Sequence, residues 1–513
     1  MSRRKRKKPR ILLITPEIAS VPPGMPRSVD NVVAKAGGMA DVTAAVVASL
    51  FELGADVHVA LPNYRKVFAA GADDLTDRPL TTYRSRLPDK RLHFAEDSIF
   101  YYRSSVYGGD VGKLALRFQR EIINRIVPEV EPDLIHCNDW TTGLIPAIAR
   151  TTGVPTLFTA HNIHTYEATL DQIEDAGIPV RDFFRHLYFT ELPRDYESSR
   201  KSNRVNMLAS GLFAAHYVNT VSPTFLEEIV EGVHPFVPDP VRNEIRHKHA
   251  AGCAFGILNS PPEHYDPQTD ASLVRTYGPG TASEARRINK AEFQKRLGLP
   301  VNAEAPLFFW PSRLDPVQKG CDLLAEVLPL YTSSSDKVQF AVVADGPYAE
   351  ALRATLRRIG SANIAFVAFS ERLSRLGFGG ADFVLMPSLF EPCGLPQMIG
   401  SIYGALPVVR ETGGLKDTVD HIELEGEAAG TTGNGFVFKT YDANGFRWAI
   451  DQARLFQRCT QSWKDEVVER VMSESRARFS QEATAKAYFE LYERALERPL
   501  VEQEHQGTEA RGA

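Results

Sequence analysis

Residues 383–395 read Phe383-Val384-Leu385-Met386-Pro387-Ser388-Leu389-Phe390-Glu391-Pro392-Cys393-Gly394-Leu395, and the chain runs on through Pro396 to Tyr403 and then Leu406-Pro407-Val408-Val409. Phe383 to Met386 is a short apolar run of strand length. A turn rich in Pro and Gly follows, then a helical stretch over Pro396–Tyr403, then a second apolar run, Leu406 to Val409. Strand, helix and strand at this spacing predict two parallel strands joined by a right-handed crossover.

The same alternation extends both ways. Towards the N-terminus of this half, Leu307–Trp310, Val338–Val343 and Ile364–Val367 read as strands, with helical stretches at Cys321–Leu330 and Tyr348–Arg358. Phe446–Phe456 is helical beyond it. An earlier series is formed by Ile11–Ile14, Val57–Leu61, Asp133–His136, Thr156–Thr159 and Tyr217–Thr220. Met39 to Leu53 carries Met39, Val42, Val46, Leu50 and Leu53 on one helical face. Two such series predict an α/β protein of two doubly wound domains. Ser260 to Pro300, rich in Pro, Asp, Gly and Ser, reads as a connection with little regular structure. Ser480 to Glu497 reads as a final helix.

Length agrees with that division. The chain has 513 residues, and single cores stop growing at roughly 250–300 residues. Apolar residues are 43% and charged residues 24%, the balance of an ordinary globular chain. A net charge of −5 provides no basic field for nucleic acid. No apolar run reaches the roughly 20 residues of a membrane helix. The five cysteines are odd in number, dispersed and without CxxC spacing, so neither a disulfide framework nor a structural zinc site is expected. The basic run Arg3 to Lys8 is followed by only four apolar residues, too few for a secretory signal. A cytoplasmic location is expected.

In open parallel sheets ligands bind beyond the carboxyl ends of the strands. That rule selects Thr15-Pro16-Glu17, Lys35-Ala36-Gly37-Gly38, His136 to Trp140 and His161-Asn162 in the first half. In the second it selects Ser312-Arg313-Leu314, Asp345-Gly346, Ser388 to Gly394 and Thr412-Gly413-Gly414. Gly37-Gly38 and Gly413-Gly414 each open a helix, where unpaired N–H groups and the dipole favour an anion. One such turn per domain, facing a cleft between them, suits a diphosphate; loop caps use the same residues. Arg313 and Lys319 are cations able to neutralise a diphosphate, or simply surface charges. Glu391 at a helix start is a cap or a holder of sugar hydroxyls. Asp139 and His161 are polar groups at strand ends. No His/Asp/Glu cluster has metal-ligand spacing. GxGxxG, GxxxxGK[ST] and GxSxG are all missing.

In combination these segments resemble the bacterial and plant-type glycogen and starch synthases, retaining glucosyltransferases of the GT-B fold. The resemblance is carried by Lys35-Ala36-Gly37-Gly38-Met39-Ala40-Asp41-Val42, His136-Cys137-Asn138-Asp139-Trp140, Phe158-Thr159-Ala160-His161-Asn162, Thr220-Val221-Ser222-Pro223-Thr224 and Gly256-Ile257-Leu258-Asn259. It continues through Asn289-Lys290, Ser312-Arg313-Leu314, Gln318-Lys319-Gly320, Met386 to Leu395, and Pro407 to Leu415. The sequence departs from the family in the long stretch from Glu17 to Lys35, in Pro396 and Ile399 after the Glu391 motif, and in Ser260 after Asn259.

The resemblance implies two Rossmann-like domains, residues 9–253 and 254–478, with a helix at 479–498 crossing back to the first. It implies transfer of glucose from ADP-glucose to the non-reducing end of an α-1,4-glucan, with no metal and no other cofactor. Other donors such as UDP-glucose, other acceptors, or a glucan-binding protein without turnover remain alternatives. By resemblance Glu391, His161, Arg313, Lys319 and Asp139 are the catalytic set. Lys35, Gly37, Gly38, Asn259, Phe369, Cys393, Gly394, Leu395, Thr412, Gly413 and Gly414 bind substrate, with Phe369 stacking on the base. A nucleotide sugar and a glucan are the expected partners, with neither nucleic acid nor membrane.

Overall fold

The computed structural model describes residues 8–22, 33–70, 91–331, 338–426 and 429–501. The basic run before Lys8 and most of the long stretch between Glu17 and Lys35 lie outside the described residues.

The chain divides into two compact units. One comprises Met1–Thr220, Ile229–Ile257 and Thr484–Ala513; the other comprises Val221–Glu228 and Leu258–Ala483. In the first unit the strands are β1 (Arg10–Ile14), β2 (Asp56–Pro62), β3 (Leu92–Ala95), β4 (Leu134–Asn138), β5 (Thr156–Ala160), β6 (Glu167–Thr169), β7 (Arg204–Asn206), β8 (Tyr217–Thr220) and β9 (Ala254–Gly256). Seven of them form a parallel sheet in the order β3-β2-β1-β4-β5-β8-β9, and β6 pairs with β7 antiparallel. Because β9 pairs with β8 in this sheet, the first unit runs to Ile257, beyond the boundary expected at residue 253.

The second unit holds β10 (Leu307–Trp310), β11 (Gln339–Val343), β12 (Ile364–Val367), β13 (Phe383–Met386), β14 (Leu406–Arg410) and β15 (Phe436–Phe438), all parallel in the order β12-β11-β10-β13-β14-β15. Its strands read as continuous apolar runs because both faces are covered. Phe308 stacks on Phe340 and Phe383 at centroid separations of 5.3 and 4.8 Å. The stretch expected to lack regular structure contains the 16-residue helix Ala282–Leu297. Its residues include neither Gly nor Pro; the helix breakers of this stretch lie outside it.

In each sheet the strand order reverses once, between β1 and β4 and between β10 and β13. Ligand crevices form at such reversals, outside the carboxyl ends. Glu17 and Asp139 follow β1 and β4; Arg313 and Glu391 follow β10 and β13.

Helix Gln481–Leu496 is tied to the first sheet by a buried polar chain. Tyr492 donates its hydroxyl to His136 Nδ1 (2.6 Å), and His136 Nε2 donates to Thr159 Oγ1 (2.7 Å). Thr159 in turn donates to Asn219 Oδ1 (2.5 Å), and Asn219 Nδ2 donates to the Tyr488 hydroxyl (3.1 Å). The Thr159 hydrogen is committed to Asn219, which fixes the His136 tautomer. Burial pushes His136 down to about 3, so it is neutral.

Candidate active site

In the first unit the turn Lys35-Ala36-Gly37-Gly38 is exposed and opens the 15-residue helix Gly38–Glu52. Lys35 Nζ pairs with Asp41 at 2.9 Å. Behind the turn stands Glu17, which is buried. Its Oε2 accepts from the amides of Ala36 (2.6 Å) and Gly37 (2.9 Å). Among the described residues none accepts from the amides of Gly38 and Met39, the first two of the helix. Gly37 has extended backbone, and a methyl group there would meet only Glu17 Oε1, at 3.7 Å.

Asp139 has a positive φ of 57°, a backbone state that costs about 1–3 kcal/mol and persists where surroundings enforce it. Both its oxygens are used: Oδ1 accepts from the His161 amide (2.7 Å) and Oδ2 from Asn162 Nδ2 (2.8 Å). Burial, opposed by those bonds and reinforced by the charge of Glu17, pushes Asp139 up to about 7. Asn138 spends its Nδ2 on the Ile14 carbonyl, so its Oδ1 receives His161 Nε2–H at 2.9 Å. Burial holds His161 down to about 3. The structure thus joins Asp139 and His161, with Asp139 shaping the loop that carries a neutral imidazole.

In the second unit Lys319 Nζ donates to Glu391 Oε2 at 2.5 Å, and Ser388 Oγ donates to the same oxygen at 3.1 Å. Both partners are largely enclosed, with side-chain exposures of 14% for Lys319 and 6% for Glu391. Arg313 is 65% exposed and pairs with Asp315 at 3.2 Å. Phe369 is also exposed. Asn289 and Lys290 serve the fold instead. Asn289 caps the amides of Val274 and Arg275, and Lys290 Nζ donates to Asp382 Oδ2 (2.6 Å) and the Ala303 carbonyl (2.9 Å).

The second glycine turn departs from the expectation of open amides. Helix Gly413–Thr418 has six residues, and its opening N–H groups are all engaged. Gly413 donates to Glu228 Oε1 (3.0 Å), as does Thr412 Oγ1 (3.1 Å). Gly414 donates to the Glu391 carbonyl (3.0 Å), and Leu415 donates to the Thr412 carbonyl (3.0 Å). A Cβ on Gly413 would overlap the carbonyl oxygen of Glu391, and one on Gly414 the backbone of Cys393. These glycines exist for close packing against the Glu391–Cys393 segment. The turn is buried, its opening amides are engaged within the chain, and it braces the Glu391–Cys393 segment.

Cys393 is buried in an apolar cluster with Val221, Met398 and Phe479, and Leu395 packs against that cluster. Burial pushes the Cys393 thiol up to about 12, although the Asn259 amide bonds to it, so it is not a nucleophile. Gly394 and Leu395 lead into helix Pro396–Tyr403. Gln397, which sequence reasoning passed over, donates Nε2 to the Cys393 and Gly394 carbonyls and to Thr418 Oγ1, each at 3.1 Å. Asn259 Oδ1 and Ser260 Oγ are buried with no partner among the described residues. Glu17 falls in the loop selected after the first strand but has no role assigned there from sequence, and Glu228 is not selected at all. Glu17 was the more legible of the two, as the charged residue directly after the first strand. Among the described residues no group of three or more His, Cys, Asp or Glu side chains is placed to hold a metal ion. No helix of the described residues is long and apolar enough to cross a membrane.

Comparison with known proteins agrees with this geometry. Residues 10–236 match the family described as starch synthase catalytic domain, and residues 305–454 match glycosyl transferases group 1. The glycogen synthase of Exiguobacterium sibiricum is 34% identical over 448 residues, covering 81% of this chain and 88% of that protein. The glycogen synthase of Thermotoga maritima is 32% identical over 498 residues, covering 90% and 96%. The catalytic domain of starch synthase IV from Arabidopsis thaliana, solved with ADP and acarbose, superposes with a TM-score of 0.75 at 25% identity. That superposition covers 96% of this chain and 100% of that one.

Proposed function

Since this chain belongs to the family of bacterial glycogen synthases and plant starch synthases, glycosyltransferases of the GT-B fold, we propose that it moves glucose from ADP-glucose to the non-reducing end of an α-1,4-glucan with retention of configuration. The observation that carries this reading is the Lys319–Glu391 pair at the carboxyl edge of the second sheet, backed by Arg313 and held by the packed glycine turn. The ADP in the Arabidopsis structure supports the choice of donor.

The residues account for a retaining transfer as follows. The reaction passes through an oxocarbenium-like state with positive charge on the sugar and negative charge leaving on the diphosphate. Lys319 and Arg313 supply cations for the departing diphosphate, Lys as a point charge and Arg as a bidentate fork. Glu391 holds the sugar hydroxyls and places negative charge near the developing positive centre. Its Oε2 is already engaged by Lys319 and Ser388, which blunts it as a nucleophile. Both oxygens of Asp139 are likewise engaged. We therefore read a front-face route, in which an oxygen of the diphosphate helps to deprotonate the acceptor, with no metal in the chemistry. His161 provides a neutral surface for the sugar, and Lys35 with the amides of Gly38 and Met39 takes the diphosphate. Asn259 and Phe369 contact sugar and base. All five cysteines are free, which supports a cytoplasmic, reducing location.

The test is incorporation of labelled glucose into glycogen from ADP-glucose and from UDP-glucose, with and without a strong chelator. The reading expects incorporation from ADP-glucose that chelation leaves intact. Preference for UDP-glucose would change the donor, loss on chelation would overturn the metal-free route, and no incorporation with retained glucan binding would make this a binding protein.

A further inference from the structure

Glu17 is a carboxylate in an unfavourable place. It is 2% exposed, and among the described residues no lysine or arginine pairs with it; Lys35, on the adjoining turn, pairs with Asp41 instead. Burial pushes the Glu17 pKa up, and the charge of Asp41 adds to it. Three donors offset this: the amides of Ala36 and Gly37 on Oε2, and the Tyr107 hydroxyl on Oε1 at 3.3 Å. Ala36 and Gly37 are exposed, so water would satisfy their amides without any carboxylate. Hydrogen-bond satisfaction alone therefore does not account for a buried, anion-flanked glutamate. What the contacts accomplish is direction. The ends of the long stretch after Glu17 are pinned by reciprocal amide–carbonyl bonds between Ile18 and Ala34, at 3.0 and 2.8 Å. Glu17, just beyond β1, then draws the amides of Ala36 and Gly37 inward. The amides that follow, those of Gly38 and Met39, are left without an acceptor among the described residues.

We propose that Glu17 is the positioning residue of the Lys35–Gly38 turn, fixing the direction in which Lys35 and the Gly38 and Met39 amides meet the donor's diphosphate. This rests on the reading above that the turn takes the diphosphate. The opposite role, a built-in anion that the diphosphate must displace, makes the opposite prediction.

Steady-state kinetics with glycogen and ADP-glucose, or UDP-glucose should that prove the donor, separates them. Glu17→Ala is expected to raise the donor KM about tenfold or more while kcat changes less, the pattern of lost binding orientation. Glu17→Gln keeps an oxygen for the two amides and is expected to restore KM to within about threefold. Should Glu17→Ala not fold, Glu17→Asp keeps the charge but is one methylene too short to reach both amides, and KM should rise in the same way. An unchanged KM in Glu17→Ala, or equal values for Ala and Gln, would overturn the proposal; a lowered KM would make Glu17 the competing anion. Lys35→Ala serves as the reference. A raised KM there beside an unaffected Glu17→Ala would refute positioning alone, whereas no change in Lys35→Ala would refute the diphosphate reading of the turn.

Discussion

Two stretches of this chain look alike in sequence and differ in physical purpose. Lys35-Ala36-Gly37-Gly38 and Glu411-Thr412-Gly413-Gly414 both set paired glycines before a helix at the carboxyl edge of a parallel sheet. In the first unit the turn is exposed, Gly37 has room for a methyl group, and the first helical amides are open. In the second unit the turn is buried, both glycines touch the backbone around Glu391, and the amides are engaged by Glu228 and by main-chain carbonyls. Glycine pairs before helices thus occur in two settings, one open at the surface and one packed against the chain's own backbone. Only the surroundings tell which.

The largest effect should follow from forcing the second turn open. Gly414→Ala or Gly413→Ala would push the Glu391–Cys393 segment out of place, lowering stability by about 2–5 kcal/mol and turnover by at least about 100-fold. Thermal melting beside steady-state kinetics reads both. Normal values in either variant would dissolve the distinction between the turns.

Next come the two cations. Lys319→Ala and Arg313→Ala should each cut turnover by about 100-fold, because the leaving diphosphate loses a cation. They should part company in stability. Lys319 neutralises an enclosed Glu391, and its loss should cost roughly 2 kcal/mol or more, whereas Arg313 is exposed and its loss should leave the melting temperature in place. Equal melting behaviour would show that the Lys319–Glu391 pair carries no structural weight.

A pH effect should trace to the first unit. Asp139 is held at about 7, above an ordinary carboxylate, so the folded chain keeps a proton that the unfolded chain releases above about 4; this term lowers stability as pH rises. His136 and His161 are held at about 3, so below about 6.5 the unfolded chain binds two protons that the folded chain refuses; these terms raise stability as pH rises. Two outweigh one. Between about pH 4.5 and 6.5 these groups should add stability by up to about 1.4 kcal/mol per pH unit. Melting curves of the wild type and His136→Gln across that range check it, the variant giving a flatter slope. An identical slope would remove His136 from the account.

The smallest effect belongs to Gly37→Ala. Its backbone is extended and the site is roomy, so stability should change by less than about 0.5 kcal/mol, with the donor KM rising only a few-fold. A collapse in melting temperature would show that the first turn is packed like the second.

Much of this was legible in the sequence. Leu307–Trp310, Ile364–Val367 and Phe383–Met386 read as strands because apolar runs of that length, bounded by turn residues, have few other uses. The short strands Leu92–Ala95, Ala254–Gly256 and Phe436–Phe438 were missed, being only three or four residues long at sheet edges. Helix Ala282–Leu297 was hidden by averaging it with the Pro- and Gly-rich residues before it. In the site, Glu391, Lys319 and Arg313 could be picked from charge at strand ends. The contact between Glu228 and Gly413 could not, since 185 positions separate them and only the folded second unit brings them together.

Glu391 either acts on the sugar or merely braces the turn that follows β13. Glu391→Gln keeps the shape and an acceptor oxygen but removes the charge. Steady-state kinetics beside a thermal melt should show a loss of about 2.7–4 kcal/mol of transition-state stabilisation, roughly 100- to 1000-fold in turnover, with donor KM moving less. A lowered melting temperature with full turnover would contradict it and leave Glu391 as a brace.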